Sequence, residues 1–218
     1  MVDWAGHAQR EDARYRDGEA RLPEAEDQDS RQRQLTRMGN AAAGVGLARL
    51  MDGDTAGARE WFARAVGRYR ESYELAPPGS WGRPIAILKA RILASDWDGA
   101  ESDARWTLEQ RPAAAESPIG RYAATLALLV LGRDAEAGVL ANELRTRADF
   151  PAAVGAALAF IAAEDPVGYI EAIEAVLESF ETREDYLEDL PAADTVVVLQ
   201  ALAARRDMAA ELSSSLLP

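Results

Sequence analysis

The feature that most constrains this chain is a turn that keeps coming back. Asp54, Asp96 or Asp98, Asp134, Asp165 and Asp207 interrupt helix-patterned sequence at intervals of roughly thirty to forty residues, the period of two-helix repeat arrays. The first unit shows the pattern best. Leu35, Met38, Ala42 and Val45 keep the i, i+3, i+7 spacing of an amphipathic helix that ends near Met51-Asp52-Gly53-Asp54. Asp54 or Thr55 then caps a second helix, on which Ala58, Phe62, Ala65, Tyr69 and Tyr73 share a face. Pro77-Pro78-Gly79 stops it. Two rods joined by so short a turn lie antiparallel and bury their facing stripes.

The unit recurs downstream. Ile85, Leu88 and Ile92 lead through Ala94-Ser95-Asp96-Trp97-Asp98 to Ala100, Ala104 and Leu108. Ser117-Pro118, an N-cap with proline at the first helical position, opens Tyr122 to Leu131, which turns at Gly132-Arg133-Asp134 into Ala137, Leu140 and Leu144. Val154, Leu158 and Ile161 turn at Glu164-Asp165-Pro166 into Ile170, Ile173, Leu177 and Phe180. Val197 to Leu202 turns at Arg205-Arg206-Asp207 into a short tail. Thr195-Val196-Val197-Val198-Leu199 is β-branched, yet its alanine-rich flanks predict helix. Ahead of the array, Trp4, Ala8, Tyr15 and Leu22 predict a helix over about Asp3–Leu22, followed by an acidic break from Pro23 to Asp29. No hairpin is large enough to bury its own apolar face, so stacking is the route to a core. The expected fold is all-α, an α-α superhelix of stacked antiparallel helical hairpins. Residues 1–29 form an N-terminal helix and acidic linker, and 30–218 the helical-repeat domain.

Composition narrows the function. With no cysteine and a single histidine, His7, the chain has no disulfide, no thiolate chemistry and no His-rich metal centre. Asp plus Glu outnumber Lys plus Arg by 37 to 24, giving a net charge of -13. Such a surface repels nucleic-acid phosphates and gains nothing from an anionic membrane. Lys89 is the only lysine. An arginine-for-lysine, acidic composition fits GC-rich codon usage, a salt-filled cytoplasm, or both. No apolar run reaches membrane-spanning length, and Met1-Val2-Asp3-Trp4 does not open a secretory signal, so a cytoplasmic location is expected.

The first hairpin resembles a tetratricopeptide repeat. Gly46 matches the small residue of that family's first helix, and Ala58, Phe62 and Ala65 match the small–aromatic–small face of its second. Later units match loosely: Ala100 and Ala137 fit the small position, but Ala104 and Ala141 stand where the aromatic belongs, and Pro77 comes late. The likeness covers roughly residues 30–147 in pattern. It implies a curved array that binds peptides or proteins on a concave face lined by first helices, not an enzyme. The C-terminal half, through Asp165-Pro166-Val167-Gly168-Tyr169 and Tyr186-Leu187-Glu188-Asp189-Leu190-Pro191, is faintly similar to all-helical immunity proteins, which neutralise a toxin by binding it.

Several residues are site candidates. The first helices of the first hairpins read as carrying bases and no acids: Arg31, Arg33, Arg37 and Arg49, then Arg83, Lys89 and Arg91, then Arg121. A basic groove in an acidic protein points to an acidic peptide or a chain's C-terminal carboxylate, held by arginine forks at Arg37, Arg83, Lys89 and Arg121. The competing expectation is that these bases pair with acids on neighbouring helices. His7 and Glu11, one turn apart, have metal-ligand spacing but no further ligands, so a solvated pair is expected. Glu171, Glu174, Glu178 and Glu181 read as the outer face of an amphipathic helix. Trp61, Trp81, Trp97 and Trp106 read as core, with Trp81 and Trp97 partly exposed at helix starts. Phosphate-binding loops, calcium loops and nucleophile elbows are absent from the sequence. The expectation is a non-catalytic protein–protein interaction module without a cofactor. The alternatives are a toxin-neutralising immunity protein and a hydrolase-like enzyme using groove carboxylates.

Overall fold

A computed structural model describes residues 2–186 and 190–218. Among these it contains ten α-helices and no strand. They are α1 (Trp4–Arg21), α2 (Gln28–Met51), α3 (Thr55–Leu75), α4 (Gly82–Leu93), α5 (Trp97–Glu109), α6 (Pro118–Val130), α7 (Asp134–Leu144), α8 (Ala152–Ala162), α9 (Pro166–Glu181) and α10 (Asp194–Ala204). The β-branched run Thr195–Leu199 lies inside α10, as its alanine flanks predict. Among the described residues no helix is long and apolar enough to cross a membrane.

The recurring turn is a local device that serves two helices at once. After α2, Gly53 takes a left-handed backbone (φ 83°) and Asp54 N–H donates to the Arg49 carbonyl at 2.9 Å. This is a Schellman closure, which satisfies carbonyls the helix end leaves free. The residue that completes it is also the N-cap of α3: the Asp54 carboxylate accepts from Gly57 N–H at 2.9 Å. The turns after α6, α8 and α10 repeat the left-handed step at Gly132, Glu164 and Asp207 and the long backbone bond from Arg133, Asp165 and Met208. Asp96 caps α5 through Gly99 N–H at 3.0 Å, and Asp165 caps α9 through Val167 and Gly168 N–H, both at 3.1 Å.

Two of the turn aspartates differ from expectation. Asp134 is the first residue of α7 rather than its cap, because Arg133 fills the cap position, and its carboxylate pairs with Arg206 instead. Asp207 occupies the left-handed position itself, and no helix follows it.

The chain forms two compact units. The first comprises Met1–Ser95 with Asp185–Ala192 and Leu217–Pro218. Its helices pack in succession, α1 on α2, α2 on α3 and α3 on α4. The α2/α3 pair is close: a Cβ on Gly46 would stand 2.8 Å from the Phe62 ring, so glycine is what lets the helices approach. Ala58, Phe62 and Ala65 are buried on the facing side. Leu190 and Ala192 join this unit's interior beside Ala48, with Trp4, Ala8, Leu47 and Met51 packed against them.

The second unit comprises Asp96–Glu184 and Ala193–Leu216. There α5 packs on α6, α6 on α7, α7 on α8 and α8 on α9, while α10 lies against α8 and α9. Every residue of α6 from Tyr122 to Val130 is buried, which marks it as this unit's central helix.

Candidate functional site

Arg83 stands apart from the other bases. It sits in the first turn of α4, half-buried, and reaches back to α2 and α3. Its Nε donates to Ser72 Oγ at 2.8 Å, and its Nη2 donates to Thr36 Oγ1 at 3.1 Å and to Gln32 Oε1. Those acceptors are themselves fixed. The Thr36 and Ser72 hydroxyls bond to each other at 2.7 Å, and both lie within hydrogen-bonding distance of the Gln32 carbonyl, at 2.9 and 2.8 Å. Gln32 and Thr36 are one turn apart on α2, and Ser72 is fully buried on α3, so three helices hold one guanidinium.

Every one of those partners is neutral. Among the described residues no carboxylate pairs with Arg83, and its Nη1 has no hydrogen-bond partner. Burial pushes its pKa below the usual arginine value. Dipoles orient this charge without cancelling it. A guanidinium fixed at Nε and Nη2, with Nη1 free, is preorganised to receive an anion with little further loss of side-chain freedom.

The other predicted anion-binding residues divide. Arg37 is exposed on α2 and makes a long 3.5 Å approach to Gln34. Lys89 is half-buried on α4, in the same unit as Arg37 and Arg83, and is engaged with neighbours. Arg121, in the second unit, is tied to Glu143 at 3.0 Å and to the Glu116 carbonyl at 3.1 Å. Pairing with acids thus describes Arg121, as it does Arg33 with Asp29 and Arg49 with Asp54. The reading of first helices free of acids holds for α4 and α6 but needs correction for α2. Asp27 caps α2 by accepting from Ser30 N–H, so the helix starts at Gln28 and takes in Asp29.

The remaining candidates have structural roles. Glu11 is buried and paired with Arg14 at 2.9 Å, and among the described residues no set of acidic or histidine side chains converges as a metal site. Glu171, Glu174, Glu178 and Glu181 lie exposed along α9. Trp61 and Trp81 are buried; Trp97 and Trp106 are half-buried, with Arg205 stacked over Trp97 at 4.4 Å. In the segment that suggested an immunity protein, Asp165 caps α9, Gly168 makes room for the Phe160 ring, and Tyr169 is fully buried with its hydroxyl on Gln200 at 2.7 Å. Leu187, Glu188 and Asp189 of the companion segment lie outside the described residues.

Sequence reasoning missed a pocket between α1 and α3, and the buried Arg206, which donates to Asp134 and at 2.9 Å to the Leu129 and Leu202 carbonyls. Neither has a local signature, because the residues involved are far apart in the chain. Comparison of the chain with protein-family models, with curated proteins and with solved structures gives no match. The class it defines is therefore the one its own geometry gives, an all-α protein of successive helical hairpins.

Proposed function

We propose that this chain is a non-catalytic interaction module of tetratricopeptide-like kind that binds an acidic peptide or protein segment. The binding face is the α2–α4 side of the first unit. Arg83 anchors the ligand; Arg37 and Lys89 are the other predicted anion-binding bases of this unit. The observation that carries this reading is the uncancelled charge of Arg83, which three helices orient through neutral oxygens alone. The close Gly46–Phe62 approach supports the tetratricopeptide-like likeness of the first hairpin. Arg121, already tied to Glu143, contributes less.

The test is a fluorescence-anisotropy titration of the full chain with a labelled glutamate-rich peptide and a glutamine-rich control. The glutamate peptide should bind, and the control should not. Arg83→Gln, and Arg37→Glu combined with Lys89→Glu, should each weaken binding by about tenfold or more, ~1.4 kcal/mol, with unchanged helicity. Equal binding of both peptides, or indifference to these substitutions, would remove the proposal.

A further inference from the structure

The pocket between α1 and α3 has a volume of about 370 Å³ and is lined by Asp12, Tyr15, Arg16, Glu19, Trp61 and Arg64. It shares no residue with the Arg83 cluster. Its α1 lining follows i, i+3, i+4, i+7 spacing, a single stripe of the helix, and Trp61 and Arg64 are i, i+3 on α3. Two of the lining residues are buried aromatics: Tyr15 and Trp61 meet edge to face with centroids 5.4 Å apart.

Charge within the pocket is unevenly cancelled. Arg16 and Asp12 neutralise each other through a two-point pair at 3.1 and 2.6 Å. Arg68, beside the pocket, serves two carboxylates, Glu19 at 3.2 Å and Glu71 at 3.1 Å, and also donates to the Tyr15 hydroxyl at 3.1 Å. One guanidinium cannot cancel two carboxylates, so negative charge is left over at the Glu19 corner. Arg64 is the opposite case. It lies over the Trp61 ring at 4.3 Å, exposed, with no carboxylate or hydrogen-bond partner among the described residues. An arginine held on an aromatic face keeps its N–H edge free for an oxyanion.

We propose that this pocket binds a small zwitterion with a flat apolar body, of the aromatic amino-acid class. Its carboxylate takes the open edge of Arg64, its ammonium meets Glu19, and its ring lies against the exposed margin of the Tyr15–Trp61 pair. A ligand bearing only negative charge would face Glu19; one bearing only positive charge would face Arg64. A doubly charged ligand of zero net charge satisfies both unbalanced corners. The volume lies at the small end of ligand pockets, which suits a single amino acid.

The test titrates the full chain with L-phenylalanine while following the Trp61 indole N–H resonance, assigned with a Trp61→Phe variant. N-acetyl-L-phenylalanine, which keeps only the negative charge, and L-phenylalanine amide, which keeps only the positive one, are run alongside. L-phenylalanine should give a saturable shift, and each blocked compound should bind about tenfold more weakly or worse. Arg64→Gln and Glu19→Gln should each cost a similar factor for L-phenylalanine. Both side chains are exposed, so the variants should fold, and circular dichroism checks that they do. No saturable shift, equal binding of the three compounds, or an unchanged affinity in folded Arg64→Gln would overturn the proposal.

Discussion

At the scale of single residues, the turns were half legible. Aspartate followed by a helix-patterned run identifies an N-cap, and Asp54, Asp96 and Asp165 fulfil that role. The left-handed residue before the cap was visible only where it is glycine. Ser95 and Glu164 before caps, and Asp207 where no helix follows, take the same conformation, at φ 54°, 51° and 56°, without a glycine's freedom. A side chain there costs on the order of 1 kcal/mol. Glu164→Gly should therefore raise the urea midpoint by an amount corresponding to about 0.5–1 kcal/mol, despite the extra freedom glycine gives the unfolded chain. A lower midpoint would mean that the left-handed strain is absent. Tyr169 makes a second prediction. Burial pushes its hydroxyl well above the ordinary tyrosine range. Its neutral form is favoured in the fold, so the stability it supports is intact below the ordinary tyrosine pKa and is lost as pH rises beyond it. Alkaline unfolding curves should show a shallower loss in Tyr169→Phe than in the parent chain. Parallel curves would show that Tyr169 does not govern the alkaline limb.

At the scale of elements, period and apolar spacing were enough to place the helices, since each needs only local sequence. What joins distant elements was not legible. Gln32, Thr36, Ser72 and Arg83 are unremarkable singly, and their meeting depends on α2, α3 and α4 packing together. Arg206 is similar: a polar residue past the end of α10 becomes the donor to Asp134 and a second donor to the Leu129 carbonyl, which also accepts from Gly132 N–H at the end of α6. Arg206→Met would leave the Asp134 carboxylate without its donor. It should destabilise the chain by about 2–3 kcal/mol, less than a fully buried pair because Asp134 keeps some solvent. Adding Asp134→Asn should recover part of that loss in a double-mutant cycle under urea. Additive losses would show that the two side chains do not act together.

At the scale of the whole molecule, the net charge of -13 dominates. Acids line exposed stretches such as α9, and their mutual repulsion opposes the compact state. Added KCl screens that repulsion, so the thermal midpoint should rise as KCl increases toward molar concentration. A midpoint indifferent to salt would separate the acidic composition from any adaptation to a salty cytoplasm. The same net charge makes an isolated, uncancelled arginine more informative than it would be on a basic protein. The most direct measurement is therefore nitrogen-detected NMR of the Arg83 side chain during titration with the glutamate-rich peptide. Its Nε–H, bonded to Ser72, should be visible before ligand is added, and its Nη signals should shift saturably with the glutamate peptide and not with the glutamine control. Arg83 resonances that stay fixed while other signals shift would place the peptide elsewhere, and a spectrum unmoved throughout would contradict the binding function itself.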